Sequence, residues 1–140
     1  MTLVSLGQNS ISYQNEILKH RMTLINDSLY VDQAEIRNVE WREFMHWTKR
    51  IYGKDSQNFK SILPDTTVWL DYSPCLKEFV TEYYRNPFFN NHPIVGVSQV
   101  QIQIFSKWRS DRVLESILIG HGGIDINPYQ DSTNYFTIER

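Results

Sequence analysis

The side chains of this sequence that could do chemistry are few and scattered. The four histidines, His20, His46, His92 and His121, never stand in an HxH or HExxH arrangement or beside carboxylates at ligand spacing. Neighbouring residues therefore offer neither a metal site nor an acid–base pair. His46 falls on the polar face of an amphipathic helix, where a solvated side chain is the expectation. His92 precedes a proline in a turn, which suits packing or a local hydrogen bond. His121-Gly122-Gly123 could hold an imidazole in a phosphate- or metal-binding loop, but two glycines after a histidine are common and an ordinary turn is preferred. The single cysteine, Cys75, excludes an internal disulfide and a zinc site built from several thiolates. It follows a proline without an activating partner and is expected to be a half-buried small hydrophobe rather than a reactive thiol. Asp125, Asn127 and Asp131 are spaced to suggest calcium, yet residues 125–131 lack the glycine and terminal glutamate of an EF-hand loop. No nucleophile elbow, P-loop or dinucleotide glycine pattern occurs. Trp41, Trp47, Trp69 and Trp108 sit at amphipathic spacing, which favours core packing over base stacking. Composition and spacing alone assign no catalytic, cofactor-binding or metal-binding residue.

The 140 residues are 41% hydrophobic and 14% aromatic, enough to bury a core and too apolar for a disordered chain. Fourteen basic against sixteen acidic side chains give a net charge of -2, without the basic block that would recruit nucleic acid. Eighteen apolar residues never run together, and the first twenty lack a basic region followed by a long apolar one. As written, the chain is expected to be cytoplasmic; a longer N-terminus would make it extracytoplasmic.

Residues 1–21 are weakly patterned and expected to be peripheral, with Leu3, Val4 and Leu6 adding a short edge segment. Two short strands, MTLI and LYVD, flank the turn pair Asn26-Asp27 within Met22–Asp32. A helix follows, with Asn38 as N-cap, Glu40 and Glu43 in its first turns, Lys49 and Arg50 in its last, and Gly53 as its stop. Trp41, Phe44, Met45, Trp47, Thr48, Ile51 and Tyr52 share one face, and Arg42, Glu43, His46, Lys49 and Arg50 share the other. Val68–Leu70 is a candidate strand, and Ser73-Pro74 opens a helix through Glu78 to Tyr84 that Asn86-Pro87 ends. Ile94, Val95 and Val97 form an apolar strand interrupted by Gly96, where a side chain would crowd a neighbour or the backbone must bend. Ser98 then caps a helix with Gln101 three residues later, a capping-box pair. That helix continues towards Ile119 with Gly120 as its stop. Residues 120–140 form a polar segment with few apolar anchors. Trp108 is expected between the second long helix and the 94–97 strand, so its truncation to alanine would cost about 3–5 kcal/mol. Gly96→Val would cost about 1–3 kcal/mol.

Three of these stretches carry a resemblance. Leu29–Trp47 (LYVDQAEIRNVEWREFMHW) is similar to the opening element of the formylglycine-generating-enzyme, or sulfatase-modifying-factor, family. Leu63–Trp69 (LPDTTVW) resembles a block of the subgroup related to gliding-motility lipoproteins of Bacteroidetes-type bacteria. Arg85–Arg112 is similar to the family element with a proline-bounded turn, a Val-Gly-Val-Ser run and a Trp-Arg-ended helix. Together the matched signals, in family order, span about residues 22–119. Asn86 stands where the family usually has histidine, Arg37 where threonine is common, and Ile102 where a small alanine is usual.

The resemblance implies an α+β, loop-rich, C-type lectin-like fold, of which this chain would hold the N-terminal portion with two main helices and short strands. Residues 22–119 would be a partial domain and residues 120–140 the polar end of an incomplete one. Active family members are copper-dependent oxidases that convert a substrate cysteine to formylglycine; related members are iron enzymes that form sulfoxides, and others lack chemistry. The family's catalytic cysteines lie in a C-terminal half that is not matched here, and Cys75 aligns with neither. The expectation is therefore a non-catalytic binding or assembly module without a cofactor of its own, engaging a protein partner or a second copy through exposed apolar faces, with neither nucleic acid nor a membrane span. The alternative is the N-terminal piece of a metal-dependent oxidase whose catalytic half lies elsewhere.

Overall fold

A computed structural model describes residues 20–26 and 29–138. It is an α+β chain: strands β1 (Met22–Asn26) and β2 (Leu29–Asp32), then helices α1 (Asn38–Tyr52), α2 (Gln57–Lys60), α3 (Val68–Tyr72), α4 (Phe79–Arg85) and α5 (Gln99–Gly120). Short 3-10 turns at Pro74–Leu76 and Pro87–Phe89 lead into and out of α4. The expected edge segment at Leu3, Val4 and Leu6 lies outside the described residues. The chain forms two compact units, Met1–Ala34 with Arg112–Ile126, and Glu35–Asp111 with Asn127–Arg140.

In the first unit β1 and β2 pair antiparallel, Met22 opposite Asp32 and Leu24 opposite Tyr30, with an irregularity between Leu24 and Asn26. Alternation sends Met22 and Tyr30 to one face, where they pack with Val113 and Ile117 of α5. Helix α5 takes in Gly120, the residue expected to stop it, and the left-handed position falls instead to Gly122, at φ +69°. Gly123 N–H reaches Leu118 O (2.8 Å) and Gly122 N–H reaches Ile119 O (3.0 Å), the paired bonds of a Schellman stop.

The second unit is organised around α1. Its core face is Trp41, Phe44, Thr48 and Ile51, as the 3.6-residue period requires. Trp41, Phe44, Phe105 and Ile62 form the buried centre, with Ile36, Met45, Phe59, Ile94, Val97 and Trp108 packed around it. The start of α1 differs from expectation: Arg37 is the N-cap and Asn38 the first helical residue. The reason is that distant backbone satisfies the orphan donors of the first turn. Asn38 N–H donates to His92 O (2.9 Å) and Val39 N–H to Asn90 O (3.0 Å). Arg37 N–H donates to Glu40 Oε2 (2.9 Å). Released from capping, the buried Asn38 side chain donates from Nδ2 to Tyr83 O and Phe89 O (3.1 and 3.0 Å). Gly53, at φ +86°, ends the helix with its N–H on Lys49 O (2.9 Å).

Two expected strands are absent from the described residues. Val68–Tyr72 is helical because Asp65 Oδ1 accepts from Thr67 N–H (2.9 Å) and Thr67 Oγ1 (2.6 Å), a local turn that starts a helix instead. The 94–97 run forms no strand: Ile94 N–H bonds to Ile36 O (2.8 Å), Gly96 O accepts from Asp65 N–H (2.7 Å), and the adjoining Arg37–Pro93 pair is an isolated bridge. Gly96, at φ +70°, breaks the run. The helix expected from Ser73 is split, with the Pro74–Leu76 turn preceding α4. The Ser98–Gln101 capping box does form: Ser98 N–H donates to Gln101 Oε1 (2.7 Å), and Gln101 N–H to Ser98 Oγ (3.3 Å). Gln101 Nε2 also donates to Ser61 O and Leu63 O (3.0 and 2.8 Å), tying the start of α5 to the 61–63 loop.

Candidate functional site

A shallow, open groove of about 450 Å³ runs along α1, lined by Val39, Arg42, Glu43, His46 and Trp47, with Trp108 of α5 opposite. Its α1 residues follow i, i+3, i+4, i+7 and i+8 spacing and so form one ladder on the helix. Trp47 and Trp108 make the aromatic floor, their rings 6.4 Å apart and inclined at 60°. Trp108 also meets Phe44 (5.1 Å) and Phe105 (5.5 Å). Trp108 is thus half-buried against α1 rather than enclosed between a helix and a strand. The corrected expectation for Trp108→Ala is a loss of about 2 kcal/mol, below the full-burial range. Urea denaturation checks it, and a loss beyond about 4 kcal/mol would restore the enclosed picture.

The polar side of the groove is partly engaged in holding the fold. Arg42 Nη1 donates to the final carbonyls of α4, Tyr84 O (3.2 Å) and Arg85 O (3.5 Å), and Nη2 donates to Asn90 Oδ1. A cation there offsets the negative end of the helix. Next to it, the Arg37 guanidinium bridges Glu40 Oε1 (2.8 Å) and Asn91 Oδ1 (3.0 Å). Burial acts to raise the Glu40 carboxyl, but hydrogen bonds from the Arg37 guanidinium and backbone, with the charges of Arg37 and Arg109, outweigh it and hold the group below its ordinary value. Glu43 and His46 face solvent at the rim.

Beyond the groove, Trp47 meets Tyr135 edge-on (5.4 Å, 85°), and Tyr135 meets Tyr52 (5.9 Å, 71°) with the hydroxyls 2.8 Å apart. Burial, and then that hydrogen bond, push the Tyr52 phenol up. The segment expected to be polar and poorly anchored therefore supplies an aromatic anchor at Tyr135. Burial also pushes Tyr84 up to about 12, its hydroxyl bonded to Val95 O (3.2 Å).

The residues singled out from sequence are not brought together. His46 lies on the groove rim; exposed His92 stacks among Tyr83, Phe88 and Phe89 through ring contacts of 5.2–6.3 Å. His121 sits in the Schellman stop, its N–H on Ile117 O (3.1 Å). Cys75 is exposed, not half-buried, because it rides on the solvent side of the Pro74–Leu76 turn. Asp131 closes its own turn through Thr133. Of the tryptophans only Trp41 is fully buried. Among the described residues there is no group of three or more His, Cys, Asp or Glu side chains that could hold a metal ion. The groove escapes notice in the sequence because its ladder lies on the seam between the two faces of α1. Its spacing is visible there; its closure by Trp108 is not.

No family model, curated protein or solved structure matches the chain. Among the described residues, no helix is long and apolar enough to cross a membrane.

Proposed function

We propose that this chain is a sulfatase-modifying-factor-like domain acting as a binding or assembly module rather than as a catalyst. The reading is carried by the meeting of the sequence blocks that bear the resemblance. Arg37 and Asn38 of the first block are joined to Phe89–Pro93 of the last by the Asn38 side chain, the Arg37–Pro93 bridge and the bond from Asn38 N–H to His92 O. Asp65 of the middle block is joined to Gly96 through its N–H (2.7 Å). A shared family fold would require these segments to meet. In this proposal the helices and short strands are arranged as in the C-type lectin-like family fold.

A binding role is supported by the aromatic groove and by Val100, Ile102 and Ile104, which remain exposed on the first half of α5. A helix apolar around much of its circumference is normally covered. The proposed partner surface includes Val100 and Ile104, one turn apart on the same side of α5, and the simplest occupant is a second copy. Sedimentation of the chain over a concentration series should show self-association. Val100→Glu combined with Ile104→Glu should remove it without lowering the melting temperature. A chain that stays monomeric throughout would overturn assembly with itself. Incubation with copper and a cysteine-containing peptide should give no aldehyde by mass spectrometry; formylglycine in the product would overturn the non-catalytic reading.

A further inference from the structure

The charged groups around the Trp47–Trp108 groove are not equally committed. Arg42 spends its guanidinium on Tyr84 O, Arg85 O and Asn90 Oδ1 at the end of α4. The Arg37 guanidinium is held by Glu40 and Asn91. Glu43 lines the groove one turn before Trp47 and is exposed. Among the described residues it makes neither a hydrogen bond nor an ion pair, and Arg37 acts on it only through space. The aromatic floor, by contrast, is fixed from behind. Phe44 and Phe105 pack on Trp108, and Tyr135 meets Trp47 edge-on. The groove thus offers two preorganised indole rings, an apolar wall at Val39 and one uncommitted negative charge.

We propose, resting on the binding role above, that this groove takes an arginine side chain from a partner's peptide segment. The guanidinium lies on the indole rings and its N–H groups reach the Glu43 carboxylate. A guanidinium is planar, weakly hydrated and stacks on aromatic faces, so it leaves water more readily than an ammonium. A cation within about 6 Å of a ring centroid is attracted by the ring quadrupole, and tryptophan is the strongest such partner. With the two centroids 6.4 Å apart, a guanidinium resting on one ring stays within reach of the other. Its apolar stem suits the wall at Val39. The forked donors match a carboxylate bidentately, and Glu43 supplies one at the rim. An anionic ligand finds no equivalent, because Arg42 is already engaged. The groove is shallow and open, so a peptide backbone can cross it while one side chain enters.

A blocked Gly-Gly-Arg-Gly-Gly peptide titrated into the isotope-labelled full chain tests this by nuclear magnetic resonance. The indole N–H resonances of Trp47 and Trp108, assigned through Trp47→Phe and Trp108→Phe, should shift saturably with a Kd of about 1 mM. The resonance of Trp41, buried in the core, should stay fixed. The citrulline peptide keeps the shape and loses the charge, and should bind about tenfold more weakly. The lysine peptide should bind about threefold more weakly. Glu43→Gln should weaken the arginine peptide about fivefold and leave the melting temperature unmoved, since Glu43 is exposed. No saturable shift of either indole, or equal binding of the citrulline peptide, would overturn the arginine site. Equal binding of the lysine peptide would overturn the choice of a guanidinium, and unchanged affinity in Glu43→Gln the part given to that carboxylate. A chain that self-associates yet fails the titration overturns this ligand and not the binding role. A monomeric chain that binds the arginine peptide overturns only assembly with a second copy.

Discussion

Gly96→Val is expected to remove about 4–6 kcal/mol of stability, most of what a small domain possesses. A Cβ at Gly96 would lie 2.0 Å from Asp65 O, 2.9 Å from Asp65 C and 3.2 Å from the Tyr84 hydroxyl. The nearest obstacle is backbone, so no rotamer change relieves it. Asp65 also donates its own N–H to Gly96 O at 2.7 Å, and separating the two residues breaks that bond. The backbone angle of +70° adds about 1–2 kcal/mol for any residue with a side chain. Overpacking contributes about 1–3 kcal/mol and the broken hydrogen bond about 1–3 kcal/mol. Residue types alone suggest a smaller loss, since they cannot show that crowding and bending both apply. Gly96→Ala meets the same obstacle, so urea denaturation of the alanine variant is the stricter check. A midpoint near that of the unaltered chain would refute this account.

Trp41→Ala is the second large effect, expected to cost about 3–5 kcal/mol. Trp41 is 1% exposed and stacks on Phe105 at 5.3 Å and 13°, while Phe44 meets it edge-on at 5.4 Å. Its Nε1 donates to Ile62 O at 3.2 Å, so truncation leaves both a cavity and an unpaired carbonyl. Trp41→Phe separates these contributions: it refills much of the volume, forgoes the bond, and should cost about 1–2 kcal/mol. Thermal melting reads both variants. Equal losses for alanine and phenylalanine would show that the hydrogen bond, not packing, dominates.

The long helices are legible in the sequence because their signals are local. Both period and stop of α1 follow from Trp41, Phe44, Ile51 and Gly53, and the start of α5 from Ser98 and Gln101. The hairpin is visible in its two β-rich runs. The features that escape depend on partners distant in sequence or on competition between short-range preferences. Asn38 looks like a cap until His92 and Asn90 are seen to satisfy its helix. Val68 and Trp69 favour a strand by residue type, yet Asp65 and Thr67 impose a turn. Tyr135 lies in a polar stretch and gives no sign that Trp47 and Tyr52 await it. The groove shares this difficulty, because one wall is periodic and the other is a single residue on α5.

The bonds at the start of α1 bear on how the chain reaches this structure. Asn38 Nδ2 and Phe89 O belong to residues 51 positions apart, and the first-turn amides end on Asn90 and His92. The helix is therefore not finished by its own neighbourhood. Its N-terminal turn must fray until the 89–93 segment has been brought back across the intervening chain, and the entropy of closing that loop opposes this step. Contacts of such separation slow folding relative to a bundle of locally completed helices. The Asn38 amide thereby couples docking of the 89–93 segment to completion of α1.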